Sequence, residues 1–389
     1  MEIKKIRVLQ VNKLYYPFTG GIEQVVRQIA EGLSDCMEMR VLVCNERRKT
    51  EHEVIHHVKV CRVASVGMIG NLPLPITLCS QLKRFSKEVD IIQFHMPFPF
   101  GDLAGLLSGY QGKIVLWWHS DVVRQKKMMF FYKPIMEQFL KRADRIIVAT
   151  EGHIEGSSYL QPYRKKCEVI PFGVSKELVI RADQYWKMDQ DSQSIKKQKL
   201  SFLFVGRLVY YKGCEILVKA FADLLKESNY SHQLVIVGSG PMEEELKNLA
   251  IRKNIFHLIK FTGTITEEQL YQEFEKCDVF VLPSVARSEA FGLVQIEAMA
   301  FGKPVINTRL KSGVPYVSLD QVTGLTVTPG DIKELKEAMY YMETHPIERQ
   351  KMGQMGRQRM KQEYSEEKML ERLKNFYKEI LKESQGEEE

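Results

Sequence analysis

Short apolar runs alternate with stretches of helical periodicity along this chain, and the alternation occurs twice, a pattern that restricts the fold more tightly than any single motif. In the first half, residues 6–11, 39–43, 91–94, 114–118 and 145–149 read as buried strands, with helical patterns over 21–34 and 132–142. In the second half, strands are expected near 202–205, 234–237, 257–261, 279–282 and 305–307, separated by helices such as 214–226 and 242–252. Strands that alternate with crossover helices fold as parallel sheets covered on both faces, so the expected class is α/β with doubly wound, Rossmann-like sheets. A chain of 389 residues exceeds one ordinary core and suits two domains of about 150 to 200 residues. The boundaries read as a first domain over 1–180, a polar and aperiodic linker region over 181–199, a second domain over 200–364 and a closing segment over 365–389. That closing segment sets Met369, Leu370, Leu373, Phe376, Tyr377 and Ile380 at helical spacing ahead of an acidic tail.

The chemistry concentrates in Ser288-Glu289-Ala290-Phe291-Gly292-Leu293-Val294-Gln295-Ile296-Glu297. Residues 279–283 read as a buried strand ending in a turn, and 292–301 as a helix with Leu293, Ile296 and Ala300 on its apolar face. Glu289 therefore sits in the loop before the helix, and Glu297 within it. Backbone N–H groups at Gly292 and Leu293 have no acceptor inside the helix; with the positive end of its dipole they suit a diphosphate, and glycine lets the phosphate come close. Glu297 lies about 7 Å further along, at ~1.5 Å per residue, a reach that suits a ribose diol. Glu289 is left to meet a sugar, so the ligand these residues fit is a nucleotide sugar. Paired glycosidase carboxylates flank one bond at about 5 to 9 Å, whereas these two serve opposite ends of a long ligand.

Further motifs stand in order around this one: Gly20-Gly21-Ile22-Glu23, His119 after a strand, Ile170-Pro171-Phe172-Gly173-Val174, Gly206-Arg207-Leu208 with Lys212-Gly213, Gly238-Ser239-Gly240-Pro241, and Gly302-Lys303-Pro304-Val305. Together they make nearly the whole chain resemble glycosyltransferase family 4, the retaining transferases of the GT-B fold. The resemblance implies two Rossmann-like domains facing a central cleft, with the closing helix crossing back to the first domain. It implies donor contacts from Gly20, Gly21, Arg207, Lys212, Glu289, Phe291, Gly292, Leu293 and Glu297, with His119, Glu289, Arg207 and Lys212 as the catalytic set. Arg207 offers a fork to phosphate oxygens and Lys212 a point charge, which together favour breakage of the sugar–phosphate bond. Gly20-Gly21 opens a second helix that the resemblance brings toward the diphosphate on closure. Retention, with the departing phosphate taking the acceptor's proton, calls for no metal and no cofactor beyond the donor.

Two residues keep open readings. Asp121 either orients His119 or binds an acceptor hydroxyl, and His95 is either structural or an acceptor contact. Asp189-Gln190-Asp191 matches the D-x-D of metal-dependent transferases but falls in the linker region and reads as an acidic loop; His52, His56 and His57 read as a solvated loop rather than a metal site.

A net charge of +7 asks for an anionic partner. Arg124, Lys126, Lys127, Lys133, Lys141, Arg142 and Arg145 surround Met128, Met129, Phe130, Phe131 and Tyr132, with Ile135 and Phe139 following at helical spacing. Such a stretch either lies on an anionic membrane surface or packs into the core with a basic solvent face. Membrane contact would suit a polyprenyl-linked glycan acceptor. The expected place is the cytoplasm, peripheral on the inner face of the cell membrane, because no apolar run of 18 residues appears and the opening residues lead into a strand. Seven cysteines without a C-x2-C pair fit reduced thiols. No nucleic-acid motif is present, and the full glycine fingerprint of a dinucleotide dehydrogenase is missing. A nucleotide-sugar epimerase or hydrolase is the nearest enzymatic rival, and a basic membrane- or nucleic-acid-binding protein the non-enzymatic one. The segments His119-Ser120-Asp121 and Ser312-Gly313-Val314-Pro315 look most like bacterial mannosyltransferases of O-antigen and capsule assembly, which favours GDP-mannose over UDP-hexoses or UDP-N-acetylhexosamines.

Overall fold

The computed structural model describes residues 5–18, 20–69, 72–121, 126–190 and 199–383. Thr19, Arg124, Asp191 and the lysines at 196 and 197 lie outside them. The chain divides into two compact units: residues 1–149, 157–172 and 366–389 form the first, and 150–156 with 173–365 the second.

The first unit begins with β1 (Arg7–Val11), α1 (Gly21–Gly32), β2 (Glu38–Cys44), β3 (Glu51–Ile55), β4 (Val58–Val63), β5 (Ser65–Ile69) and β6 (Leu72–Pro75). It continues with α2 (Leu78–Phe85), β7 (Ile91–Met96), α3 (Pro99–Leu107), β8 (Lys113–Trp118), α4 (Lys126–Arg142) and β9 (Arg145–Val148). After α5 (Glu151–Gly156), which belongs to the second unit, comes β10 (Cys167–Val169). Its main sheet has the order β10-β9-β8-β7-β1-β2-β4-β3, parallel throughout except for the β3–β4 hairpin. Every residue of β7 is buried, as is β8 beyond Lys113, which is the continuous apolar character of strands covered on both faces. The strand order reverses between β1 and β7. That switch point opens a crevice at the carboxyl ends of the strands.

His52, His56 and His57 belong to the hairpin rather than to a loop. His52 lies in β3, while His56 and His57 adopt φ of 44° and 70° at the two-residue turn, the left-handed pair such a connection needs. The exposed, charged face of β3 blunts the sheet edge. Helix α4 starts earlier than the sequence suggested, because Pro134, which fits a first turn best, stands in its interior.

The second unit continues with α6 (Lys176–Gln190), β11 (Ser201–Val205), α7 (Cys214–Glu227), β12 (Gln233–Val237), α8 (Glu243–Arg252), β13 (Ile259–Gly263) and α9 (Glu267–Lys276). It is completed by β14 (Val279–Val281), α10 (Leu293–Ala300), β15 (Val305–Thr308), α11 (Val314–Val317), β16 (Gly324–Val327), α12 (Ile332–Thr344) and α13 (Pro346–Glu363). Its sheet is wholly parallel, in the order β13-β12-β11-β14-β15-β16, with the reversal between β11 and β14. Strand β13 starts two residues later than expected because Phe256–Leu258 form a 3₁₀ turn.

The first half of the segment read as an aperiodic linker region over 181–199 is instead the body of α6, residues 191–198 lie outside the described residues, and the unit boundary falls at Phe172 and Gly173. Its helical face is short: Leu178 and Ala182 are buried and Trp186 seats on Gly302, which leaves little periodic signal in the sequence. Asp189 and Gln190 are the last two residues of this helix, and Asp191 lies outside the described residues. The final helix, α14 (Glu366–Lys382), returns to the first unit, where Leu370 occupies the space that a side chain at Gly32 would need. All seven cysteines are free; four are buried, and burial pushes Cys61 up to about 11.

Candidate active site

In the second unit the switch point lies between the ends of β11 and β14. The chain leaving β11 passes Gly206 and Arg207 and makes a 3₁₀ turn over Tyr210–Lys212, stopped by Gly213 at φ 70°. Gly213 is required twice, because a Cβ there would also meet the Pro283 carbonyl at 2.0 Å. The turn aims Lys212 at the loop after β14, where its Nζ lies 2.6 Å from Glu289 Oε2. Ser284 Oγ donates to the same oxygen at 3.2 Å. Lys212 and Glu289 are almost dry, with side-chain exposures of 13% and 9%. Burial pulls the Lys212 pKa down, but the charge of Glu289 and the bond to it prevail, and the ammonium titrates above its ordinary value.

The loop itself is fixed from below. Gly313 N–H donates to the Ala290 carbonyl at 2.7 Å, Gln295 Nε2 to the Phe291 carbonyl at 2.9 Å, and Thr308 Oγ1 to the Ser284 carbonyl at 2.7 Å. Asn307 in turn holds Gln295 Oε1 at 2.9 Å. Gly292 caps α10 at φ 73° with no side-chain cap, so the N-terminus of α10 is built as expected beside the Glu289 loop. Glu297 is half-buried on α10, where burial, reinforced by the charge of Glu267, pushes its carboxyl up to about 7. Arg207 is exposed and makes no side-chain hydrogen bond or ion pair among the described residues. Phe291 differs from its expected donor contact: it is 3% exposed and packs edge-on against Tyr364 at 6.0 Å, so its ring belongs to the core.

In the first unit, His119 follows β8 and its N–H donates to the Met96 carbonyl at the end of β7. Its Nε2 lies 2.8 Å from His95 Nδ1, and Phe172 stacks parallel to its ring at 5.5 Å. His95 is 1% exposed with its other nitrogen 2.8 Å from Gln10 Oε1, which takes it out of an acceptor's reach and settles its open reading as structural. Burial pushes it down to about 3, so it is neutral. Asp121 is engaged by Trp118 Nε1 at 3.1 Å and Ser157 Oγ at 2.7 Å. Gly20 is the N-cap of α1 and Gly21 its first residue, with the Glu23 carboxylate folded back against Gly20. Among the described residues no three His, Cys, Asp or Glu side chains come together as a metal site. The supporting hydrogen bonds of Ser284, Gln295 and Asn307 in the second unit and of Gln10, Gln93 and Tyr377 in the first were not read from the sequence, since bonds between buried amides and hydroxyls carry no periodic or charge signal.

Two doubly wound units on one chain, each with its own reversal of strand order, are the architecture of GT-B transferases. Sucrose-phosphate synthase from Thermosynechococcus elongatus shares it, with a TM-score of 0.74 over 97% of this chain and 99% of that one at 22% identity. The description "Glycosyltransferase Family 4" matches residues 19–178, and "Glycosyl transferases group 1" matches residues 187–359. The chain is 32% identical to the O-antigen chain mannosyltransferase C of Escherichia coli, across 97% of this chain and 99% of that protein. It is also 32% identical to a D-rhamnosyltransferase of Pseudomonas aeruginosa, across 92% of each. A GDP-mannose-dependent monoacylated phosphatidylinositol monomannoside mannosyltransferase of Corynebacterium glutamicum is again 32% identical, across 95% and 97%. The chain belongs to glycosyltransferase family 4 and is a glycosyltransferase.

Proposed function

We propose that this glycosyltransferase moves a hexose, mannose from GDP-mannose, with retention of configuration onto a glycan or polyprenyl-linked glycan during cell-surface polysaccharide synthesis. The observation that carries the reading is the Lys212–Glu289 pair beside the uncapped N-terminus of α10 at the switch point of the second unit. A diphosphate at that terminus meets unpaired N–H groups and the helix dipole, with Lys212 and Arg207 beside it as cations. When the phosphate draws Lys212 toward itself, Glu289 is released to hold sugar hydroxyls. Glu297 accepts from the ribose diol, and His119 contacts the sugar. Full-length likeness to transferases named for mannosyl and rhamnosyl transfer supports a hexose or deoxyhexose, and likeness to one named GDP-mannose-dependent supports the guanine nucleotide.

The exposed phenylalanines of α4 favour an anionic membrane surface as a further partner. Phe130 and Phe131 are 78% and 76% exposed, while Met136, Phe139 and Leu140 further along pack into the core and Lys133 and Lys141 face solvent. The later turns of the helix pack into the core, and Phe130 and Phe131 are the rings we propose to seat on that surface.

The test is transfer of labelled sugar from GDP-mannose, compared with UDP-glucose and UDP-N-acetylglucosamine, to a polyprenyl-linked glycan, with the product's anomeric configuration read by NMR. Mannose retained on the acceptor with the donor's configuration supports the proposal. Label found only as free sugar makes the protein a hydrolase, and transfer only from UDP donors replaces the guanine reading.

A further inference from the structure

A closed set of buried hydrogen bonds runs from the last helix of the chain to the ring of His119. Tyr377 on α14 donates its hydroxyl to Gln93 Oε1 at 2.7 Å and accepts from Gln10 Nε2 at 3.0 Å, while Gln93 Nε2 donates to Gln10 Oε1 at 2.9 Å. Gln10 Oε1 can accept one more bond, and His95 Nε2 lies 2.8 Å from it; Gln93 Nε2 is the more distant neighbour of that nitrogen at 3.4 Å, so the closer contact, to an oxygen that can only accept, makes Nε2 the donor. A neutral imidazole has one donor and one acceptor nitrogen, so His95 accepts at Nδ1, where His119 Nε2 lies 2.8 Å away. Nothing in this chain of bonds is wet: Gln10, Gln93 and Tyr377 are fully buried and His95 nearly so. His95 stays neutral because burial holds its pKa near 3, so the relay is not broken by a proton at working pH.

We infer that Tyr377, Gln10, Gln93 and His95 are positioning residues that fix His119 as its Nε2–H tautomer, which ties the working form of that ring to the C-terminal helix. With Nε2 donating inward, Nδ1 carries the lone pair and offers a sugar hydroxyl an acceptor rather than a donor. The ring plane is set as well, since Phe172 lies parallel within 1° and Trp117 within 9°. The four positioning residues come from two strands, β1 and β7, and from α14, and no two are close in sequence except Gln93 and His95. The helix that rejoins the first unit therefore does more than cover apolar surface: its single buried hydroxyl closes the network. The inference rests on the proposed contact of His119 with the donor sugar.

Long-range ¹H–¹⁵N NMR of the full-length protein with labelled histidine tests the network without any variant. The expected spectrum shows His95 and His119 both as Nε2–H tautomers. Both as Nδ1–H, which a concerted turn of the two glutamine amides would produce, overturns the inference. Tyr377→Phe keeps the ring and removes the hydroxyl. It is expected to give mixed tautomers at both histidines and about a tenfold lower kcat, with the donor KM within about twofold. Unchanged tautomers with wild-type kcat contradict it. A fully active His119→Ala together with the expected wild-type spectrum removes the donor contact and the positioning role with it, so failure of that reading is distinguished from failure of the network.

Discussion

Glu289 and Lys212 hold each other in a nearly dry pocket, so each is the other's counterion until a ligand arrives. Replacing Glu289 by Gln keeps the shape and removes the charge that Ser284 and Lys212 stabilise. Turnover is expected to fall by about a hundredfold or more, while GDP affinity in isothermal titration stays within a few-fold; a fully active Glu289→Gln sinks its role. Glu297 supplies a pH signature. Its folded pKa of about 7 stands above the ordinary 4.5, so the folded state binds this proton more tightly than the unfolded chain. The stability it contributes is complete below the unfolded value and is lost as pH rises through about 7. Nucleotide binding follows the opposite course, because a ribose diol wants the carboxylate. GDP affinity should rise roughly tenfold from pH 6 to pH 8 in the wild type, in proportion to the ionised fraction, and flatten in Glu297→Gln; equal slopes in the two proteins contradict the ribose contact. Arg207, Lys212, Glu289 and Glu297 were legible in the sequence because their motif fixes their place relative to a strand end and a helix start. The Lys212–Glu289 pairing was not, since it joins loops far apart in sequence. The burial of His95 and of the Phe291 ring was not legible, because a residue next to a site and one buried beneath it look alike in a linear pattern.

At the scale of the element, α4 and α14 carry the clearest tests. Phe130 and Phe131 make no claim on the core, so the double change to Glu should leave the melting temperature within about 2 °C, as for exposed positions generally. The same change should abolish cosedimentation with anionic vesicles at low salt if the start of α4 seats on a membrane. Vesicle binding that survives the double change would contradict that seat. Gly32 faces Leu370 of α14, and an added Cβ would come within 2.4 Å of it. Gly32→Val is therefore expected to cost about 1 to 3 kcal/mol in urea unfolding, whereas a neutral result would mean that α14 yields easily. The long apolar strands and the amphipathic α14 were plain from periodicity. Strand β3 was hidden, because an exposed edge strand has no buried face to mark it, and α6 was hidden because a helix with few buried residues reads as polar linker.

The molecule as a whole repeats one plan, a doubly wound sheet whose strand order reverses near its middle, and that repetition was readable from alternation alone. What alternation could not give was the boundary, since the chain changes unit at Phe172 and Gly173 within an unbroken motif and lends residues 150–156 to the second unit before it leaves the first. The central claim concerns the second unit, where the uncapped end of α10 and the Lys212–Glu289 pair are proposed to receive a guanosine diphosphate sugar. Thermal unfolding across GDP, UDP, GDP-mannose, UDP-glucose, UDP-N-acetylglucosamine and NAD tests it most directly, because a ligand bound only by the folded state raises the melting temperature by mass action. The expected result is a rise with GDP and GDP-mannose that UDP compounds do not match and that is reduced in Lys212→Met. A response to NAD alone, or to no nucleotide at all, would contradict the account.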